Sequence, residues 1–290
     1  MPWFDYSDRV SPLKCAVFAA LFLPALWTGW LFWHGDFGPA RPVNETIHGI
    51  GRWTIRLIFA SLAITPLRSL LNWPRLILVR RMIGVAAFAY VCLHLTLYIV
   101  DQAFDLQKVA TEIVLRIYLE IGFTALLILA ALAVTSTDGM MRRLRRNWTR
   151  LHRLLYVAAG LAVIHNFMQA KADVDQPWVM AGLYLWLMGY RLLAWRFGQN
   201  YRFKLAAVGA LSLAAGAATA VGESIYYWIK VGVNPTRVLS AYLTFATWRP
   251  GWIVLAIGLS VTIAGAVRAL TSKPSQQRPR SAAAAVTPTN

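Results

Sequence analysis

Residues 82–100, MIGVAAFAYVCLHLTLYIV, decide the fold: nineteen residues without one Asp, Glu, Lys or Arg, entered through Arg80 and Arg81 and carrying a single imidazole, His94. A helix rises about 1.5 Å per residue and the hydrocarbon core of a bilayer is about 30 Å thick, so a run of about twenty apolar residues spans it. Outward from this segment the chain repeats the pattern at 15–33, 53–71, 117–137, 154–170, 178–195, 205–222 and 252–267. Arg56 interrupts the run at 53–71. It is expected one turn inside the start of that helix, reaching back toward the headgroups. The run at 15–33 has basic flanks, but it is long for a leader and lacks a small-x-small cleavage site, so it is read as a helix. The expected fold class is an all-α polytopic membrane protein, a bundle of about eight transmembrane helices.

Composition agrees. Hydrophobic residues make up 58% of the 290 and charged residues 14%, more apolar surface than a soluble domain could cover. The 29 Lys and Arg outnumber the 12 Asp and Glu, giving a formal charge of +17. These cations stand in short clusters between apolar runs rather than along one face of a soluble domain, which excludes nucleic acid as the partner and points to lipid. With both termini cytoplasmic, 20 of the 29 fall on the inner side, in clusters at 68–81, 142–153, 191–204 and 268–280, and 9 on the outer side. The reverse orientation would violate the positive-inside rule. Cys15 and Cys92 both lie inside apolar runs, so neither a disulfide framework nor a CxxCH attachment motif exists. The expected organisation is a cytoplasmic N-terminus at 1–13, a six-helix core at 14–200, two further helices joined by a long periplasmic loop at 201–270, and a disordered cytoplasmic tail at 271–290. That loop, 223–250, carries Tyr226, Tyr227 and Trp228, which could form an interfacial aromatic belt or lie flat on the membrane. No segment outside the membrane is long enough for a nucleotide-binding domain.

Three of the five histidines, His94, His152 and His165, fall in or at the mouth of spans. An ionisable group there is costly, so function is the default reading, with a helix–helix hydrogen bond as the plain alternative. Depth separates the three. His94 lies 13 residues past Arg81 and His165 lies 15 past Arg150, each about 20 Å from the inner edge. Two histidines at one level on neighbouring helices can supply both axial nitrogens of a b-type heme, non-covalently held. His152 lies about 20 Å further in, and on a straight helix its side chain points about 140° away from that of His165. It is a candidate for a second heme, a flavin, a quinone or a propionate contact, or for a simple helix cap. Arg80, Arg81 and Arg150 could hold propionates or a flavin phosphate, or serve only as topology determinants. His48, at the outer start of the second helix, could contact an outer heme or a quinone, a surface helix start being the plainer reading.

The pieces Ile-Thr-Pro-Leu (64–67), Arg80-Arg81-x-x-Gly84, Leu93-His94-Leu-Thr96, Thr135-Ser-Thr137, Trp148-x-x-Leu151-His152-x-x-x-Tyr156 and Ile164-His165 occur in an order that resembles a known family. It is the heme-binding membrane subunit of the periplasmic protein-methionine-sulfoxide reductase system (MsrQ or YedZ type), within the ferric-reductase-like transmembrane group. The resemblance covers about residues 14–200, and the helices beyond 201 exceed the six-helix core. It implies heme-associated roles for His94, His152 and His165, b-type heme (one or two) and FMN as cofactors, and a place in the bacterial inner membrane. Electrons would come from quinol or a cytoplasmic flavin reductase. They would pass to a periplasmic molybdopterin enzyme that reduces methionine sulfoxide in oxidised proteins, so whether the chain itself is an enzyme stays open. Two other readings remain, a stand-alone transmembrane ferric or quinone reductase, and a non-redox transporter or assembly scaffold.

Overall fold

A computed structural model of the chain describes residues 10–38, 40–170, 173–197, 201–244 and 247–271, the side chains of 201–203 excepted. No strand occurs among them. The expected tail falls, from 272 onward, outside the described residues.

The first span is α1 (Pro12–Ala20) followed by α2 (Leu23–His34). In an unbroken helix the Ala25 amide would bond to the Leu21 carbonyl. Here the Tyr90 hydroxyl stands between them, donating to Leu21 O at 2.6 Å and accepting from Ala25 N–H at 3.0 Å, an inserted side chain that breaks the ladder without orphaning either group.

The central helix is α3 (Pro42–Leu70), whose buried residues run along most of its length. At 29 residues it is about 43 Å long and exceeds the hydrocarbon core, so its polar first turns extend past the apolar stretch. Arg56 therefore lies four turns inside the helix rather than one, and its guanidinium rests over the Trp53 ring, 4.7 Å from the centroid. Pro66 inside α3 has no N–H for the Leu62 carbonyl one turn earlier. Arg191 replaces it, donating to Leu62 O at 2.9 Å and to Leu187 O at 2.8 Å while stacking on Tyr156.

A short 3₁₀ turn (Pro74–Leu76) leads into α4 (Ile77–Asp101), which packs extensively against α3. Outside the membrane α5 (Leu106–Leu115) is amphipathic: Asp105 caps it, Val109 is buried, and Leu106, Val114 and Leu115 are exposed, as suits a helix lying in the interface. Then come α6 (Ile117–Val134), the inner turns α7 (Asp138–Leu144) and α8 (Arg146–Leu151), and α9 (Leu154–Gln169), which packs on α6. At the start of α7 Asp138 pairs with Arg81 of α4, which holds its carboxyl below the ordinary range.

The last helices are α10 (Asp175–Phe197), α11 (Tyr201–Val231), α12 (Pro235–Leu243) and α13 (Pro250–Thr271). Among the described residues seven segments are long and apolar enough to cross a membrane. The eighth, α10, is long enough at 23 residues but diluted by Trp, Tyr and Arg191. Small residues let α11 and α13 close on each other: a Cβ on Gly251 would stand 2.8 Å from the Gly216 carbonyl oxygen. The expected outer loop at 223–250 is largely helical instead, because α11 continues two more turns to Val231 and α12 follows. The reason is Glu223. Fully buried, it accepts from the Tyr242 hydroxyl of α12 and from Arg249 at 2.6 Å, pinning the segment down.

Candidate functional site

Both histidines at the shared depth are held at their Nδ1. That of His94, on α4, donates to Ile47 O on α3 at 2.9 Å, and that of His165, on α9, donates to Tyr118 O on α6 at 2.8 Å, the tautomer being the one that gives each carbonyl its proton. Ile47 sits four residues before Gly51, and Tyr118 four before Gly122. A Cβ on Gly51 would stand 3.0 Å from the His94 ring, and one on Gly122 would stand 2.8 Å from that of His165. Each imidazole thus packs its Cε1 and Nδ1 atoms against a helix at a glycine, where a β-carbon would collide with the ring.

The two rings face each other across α4 and α9 with centroids 6.3 Å apart and planes at 88°. An imidazole nitrogen binds a transition metal at about 2.0–2.1 Å, which puts the metal roughly 3.1 Å from the ring centroid, so two rings trans across one metal stand about 6.3 Å apart. The observed spacing meets that requirement. Both rings line a cavity of about 410 Å³ between α3, α4, α6, α9 and the start of α10. Toward the middle of α3 it is apolar, with Ile58, Leu129 and Ala162; toward the start of α3 it carries Asn44, His48, Arg52 and Gln176. Among the described residues no group of three or more His, Cys, Asp or Glu side chains gathers as a metal cage. A metal between His94 and His165 would need its other ligands from a macrocycle, and an apolar slot with two opposed imidazoles suits a flat tetrapyrrole.

Of the remaining sequence candidates, His48 shares this cavity and the others are elsewhere. His152 lies in the turn between α8 and α9, so the straight-helix angle to His165 does not apply. Its ring stacks on Trp148 at 3.9 Å, with Nδ1 3.1 Å from Trp148 O and Nε2 3.3 Å from the Ser136 hydroxyl. Trp148 in turn donates to Thr135 O at 2.9 Å. The motif pieces Thr135-Ser-Thr137 and Trp148 to Tyr156 therefore meet at one inner corner. Arg80, Arg81 and Arg150 do not line the His94–His165 cavity, whereas His48 does. Arg52 and Gln176 also line it and were not singled out from sequence. Arg52 had a signal, four residues after His48 on the same helix face; Gln176 had none, being one amide in a polar stretch.

Gly122→Ala tests the fit of ring to helix. Glycine to alanine inside a helix ordinarily favours the helix by about 1 kcal/mol. Here the new methyl must push His165 off Tyr118 O, and loss of an orienting bond of this kind costs about 10–100-fold in metal affinity. The expected result is a chain that folds and accumulates normally yet retains less than about a tenth of its metal-centre absorbance. Normal absorbance in Gly122→Ala would refute the packing argument.

The comparisons with known proteins follow the same geometry. Residues 50–163 match the model of the ferric reductase like transmembrane component, a stretch that holds His94 and ends two residues before His165. The chain is 46% identical over 188 residues to the protein-methionine-sulfoxide reductase heme-binding subunit MsrQ of Rhodospirillum rubrum, covering 64% of this chain and 90% of that protein. It is 45% identical over 192 residues to the protein of the same name from Xanthomonas campestris pv. campestris, covering 64% and 88%. A third, from Xanthomonas oryzae pv. oryzae, is 41% identical over 196 residues, covering 66% and 89%. No solved structure matches the chain. A membrane bundle with two glycine-seated, opposed histidines, matched over nearly the whole length of these relatives, belongs to the MsrQ family of protein-methionine-sulfoxide reductase heme-binding subunits.

Proposed function

We propose that the chain is a transmembrane b-type cytochrome of the inner membrane, both termini cytoplasmic, in which His94 and His165 would hold one heme. It passes electrons outward to a periplasmic molybdopterin methionine-sulfoxide reductase. The observation that carries this reading is the pair of imidazoles opposed at 6.3 Å, each fixed at Nδ1 by a backbone carbonyl. Bound heme would supply a one-electron ferric–ferrous couple there. The chain's own contribution is positional. The carbonyls of Ile47 and Tyr118 fix each ring's tautomer and raise the basicity of Nε2, which favours low-spin iron. Ile58, Leu129 and Ala162 keep the inner slot dry, and burial is one of the levers on potential. The donor, quinol or a cytoplasmic flavin reductase, approaches from the inner side, where His152 and Arg80 would serve a flavin or second heme; FMN rests on the family resemblance alone. Sulfoxide reduction takes place on the partner chain.

The test is the visible spectrum of the detergent-purified chain, oxidised and dithionite-reduced. A Soret band with low-spin reduced α and β bands is expected, at about one heme per chain by pyridine hemochromogen. A colourless protein would sink the reading and favour a transporter or scaffold. Two hemes per chain would make the His152 corner a second iron site.

A further inference from the structure

The outer half of the cavity is built for something other than iron. Asn44, His48 and Arg52 of α3 follow one another at intervals of four, so they stand on one helix face, and all three line the cavity. Below them the same wall turns apolar at Ile55 and Ile58. From the opposite wall Gln176 adds a donor. Its Oε1 accepts from Asn166 at 2.8 Å, which directs its Nε2 the other way, and that nitrogen is buried without a hydrogen-bond partner among the described residues. A buried amide N–H without an acceptor is rare in folded proteins and calls for one. Glu45 and Asp173 also stand on the rim, where they would repel an anion and confine it to the α3 stripe.

The geometry points to the stripe Asn44–His48–Arg52, with Gln176 opposite, as the anchoring site for the two carboxylates of the tetrapyrrole, whose acidic edge then faces outward. This rests on the heme reading above. An apolar slot that ends in cationic and amide donors at one end only admits an amphipathic ring in one sense, so the stripe sets the orientation of the group as well as its affinity. It also gives the donors a different address from the inner arginines Arg80, Arg81 and Arg150, none of which reaches this cavity.

The experiment uses the full chain, purified in detergent as apoprotein from heme-starved cells, and titrates it with hemin or with hemin dimethyl ester, whose carboxylates are capped. Binding is read at the Soret band. The wild-type chain is expected to bind hemin about tenfold more tightly than the diester, the scale of charge-assisted hydrogen bonds lost on capping. In the double variant His48→Gln with Arg52→Gln, hemin affinity should fall about tenfold while diester affinity stays, so the preference disappears; unchanged diester binding shows that the variant is folded. No preference in the wild type, or a preference kept in the double variant, would overturn the anchoring site. Should the double variant bind neither compound, Gln176→Leu decides: a roughly threefold loss for hemin alone supports the site, and no change overturns it. If the wild type yields no low-spin spectrum with either compound, the heme reading itself has failed, and the stripe fails with it.

Discussion

His94→Ala and His165→Ala each abolish the low-spin spectrum of the purified chain and lower its heme affinity by more than about 100-fold. The magnitude follows from the neighbouring bonds: losing only the group that orients a metal-bound histidine costs about 10–100-fold, and losing the histidine removes the ligand together with its orientation. Neither α4 nor α9 offers a substitute, and among the described residues no group of three or more His, Cys, Asp or Glu side chains is placed to hold a metal. Both variants leave a void against glycine, beside Gly51 for His94 and Gly122 for His165, so the slot stays open while one coordinating nitrogen is gone. Any heme retained should be high-spin, with one axial imidazole. His152→Ala is the control. Its ring stacks on Trp148 and meets Ser136, outside the cavity, so the low-spin bands of the His94–His165 centre should persist at full intensity. Low-spin bands surviving in either His94→Ala or His165→Ala, or vanishing in His152→Ala, would refute this assignment of ligands.

What made the site legible was counting along helices. In a membrane the inner basic clusters mark a reference plane and rise per residue is fixed, so Arg81 and Arg150 locate His94 and His165 at one depth without any tertiary information. The same arithmetic could not locate Gly51 and Gly122, because a glycine that makes room for a ring is indistinguishable in sequence from one that merely packs helices. It also failed wherever helix ends depart from hydropathy. The polar start of α3, from Pro42, hid the extra turns that place Arg56 deep in the helix and bring His48 and Arg52 to the cavity wall. Pro66 was visible, but its partner was not: Arg191, which answers the Leu62 carbonyl that Pro66 leaves open, is 129 residues from Leu62 along the chain. Beyond α10 the apolar runs marked α11 and α13, while Glu223, Tyr and Trp in the connecting stretch looked like loop composition. Burial reverses that meaning.

Arg249→Met should destabilise the chain by about 3 kcal/mol, a fall of roughly 6–12 °C in melting temperature for a chain of this size. Glu223 is fully buried and its two oxygens have one partner each, Arg249 at 2.6 Å and the Tyr242 hydroxyl. Removing the cation leaves a carboxylate with one neutral donor and no water, the situation in which breaking a buried pair costs most. The reverse change is milder. Arg249 keeps 22% of its side chain exposed, so in Glu223→Gln the guanidinium is partly solvated and the amide still accepts from Tyr242. Burial first, and then its bond to Glu223, hold the Tyr242 phenol above its ordinary pKa, so with Glu223 in place it stays a proton donor. The double variant Glu223→Gln with Arg249→Met has no buried charge to compensate and should recover more than half of the single-variant loss. A double variant as unstable as the sum of the two singles would show that the pair is not coupled. The heme spectrum separates this effect from the redox centre: neither Glu223 nor Arg249 lines the His94–His165 cavity, so Arg249→Met should melt early with its low-spin bands intact at room temperature. Loss of those bands before the protein melts would instead make the outer network a support of the heme slot, acting through α10, which packs against α11 and carries Gln176 into the cavity wall.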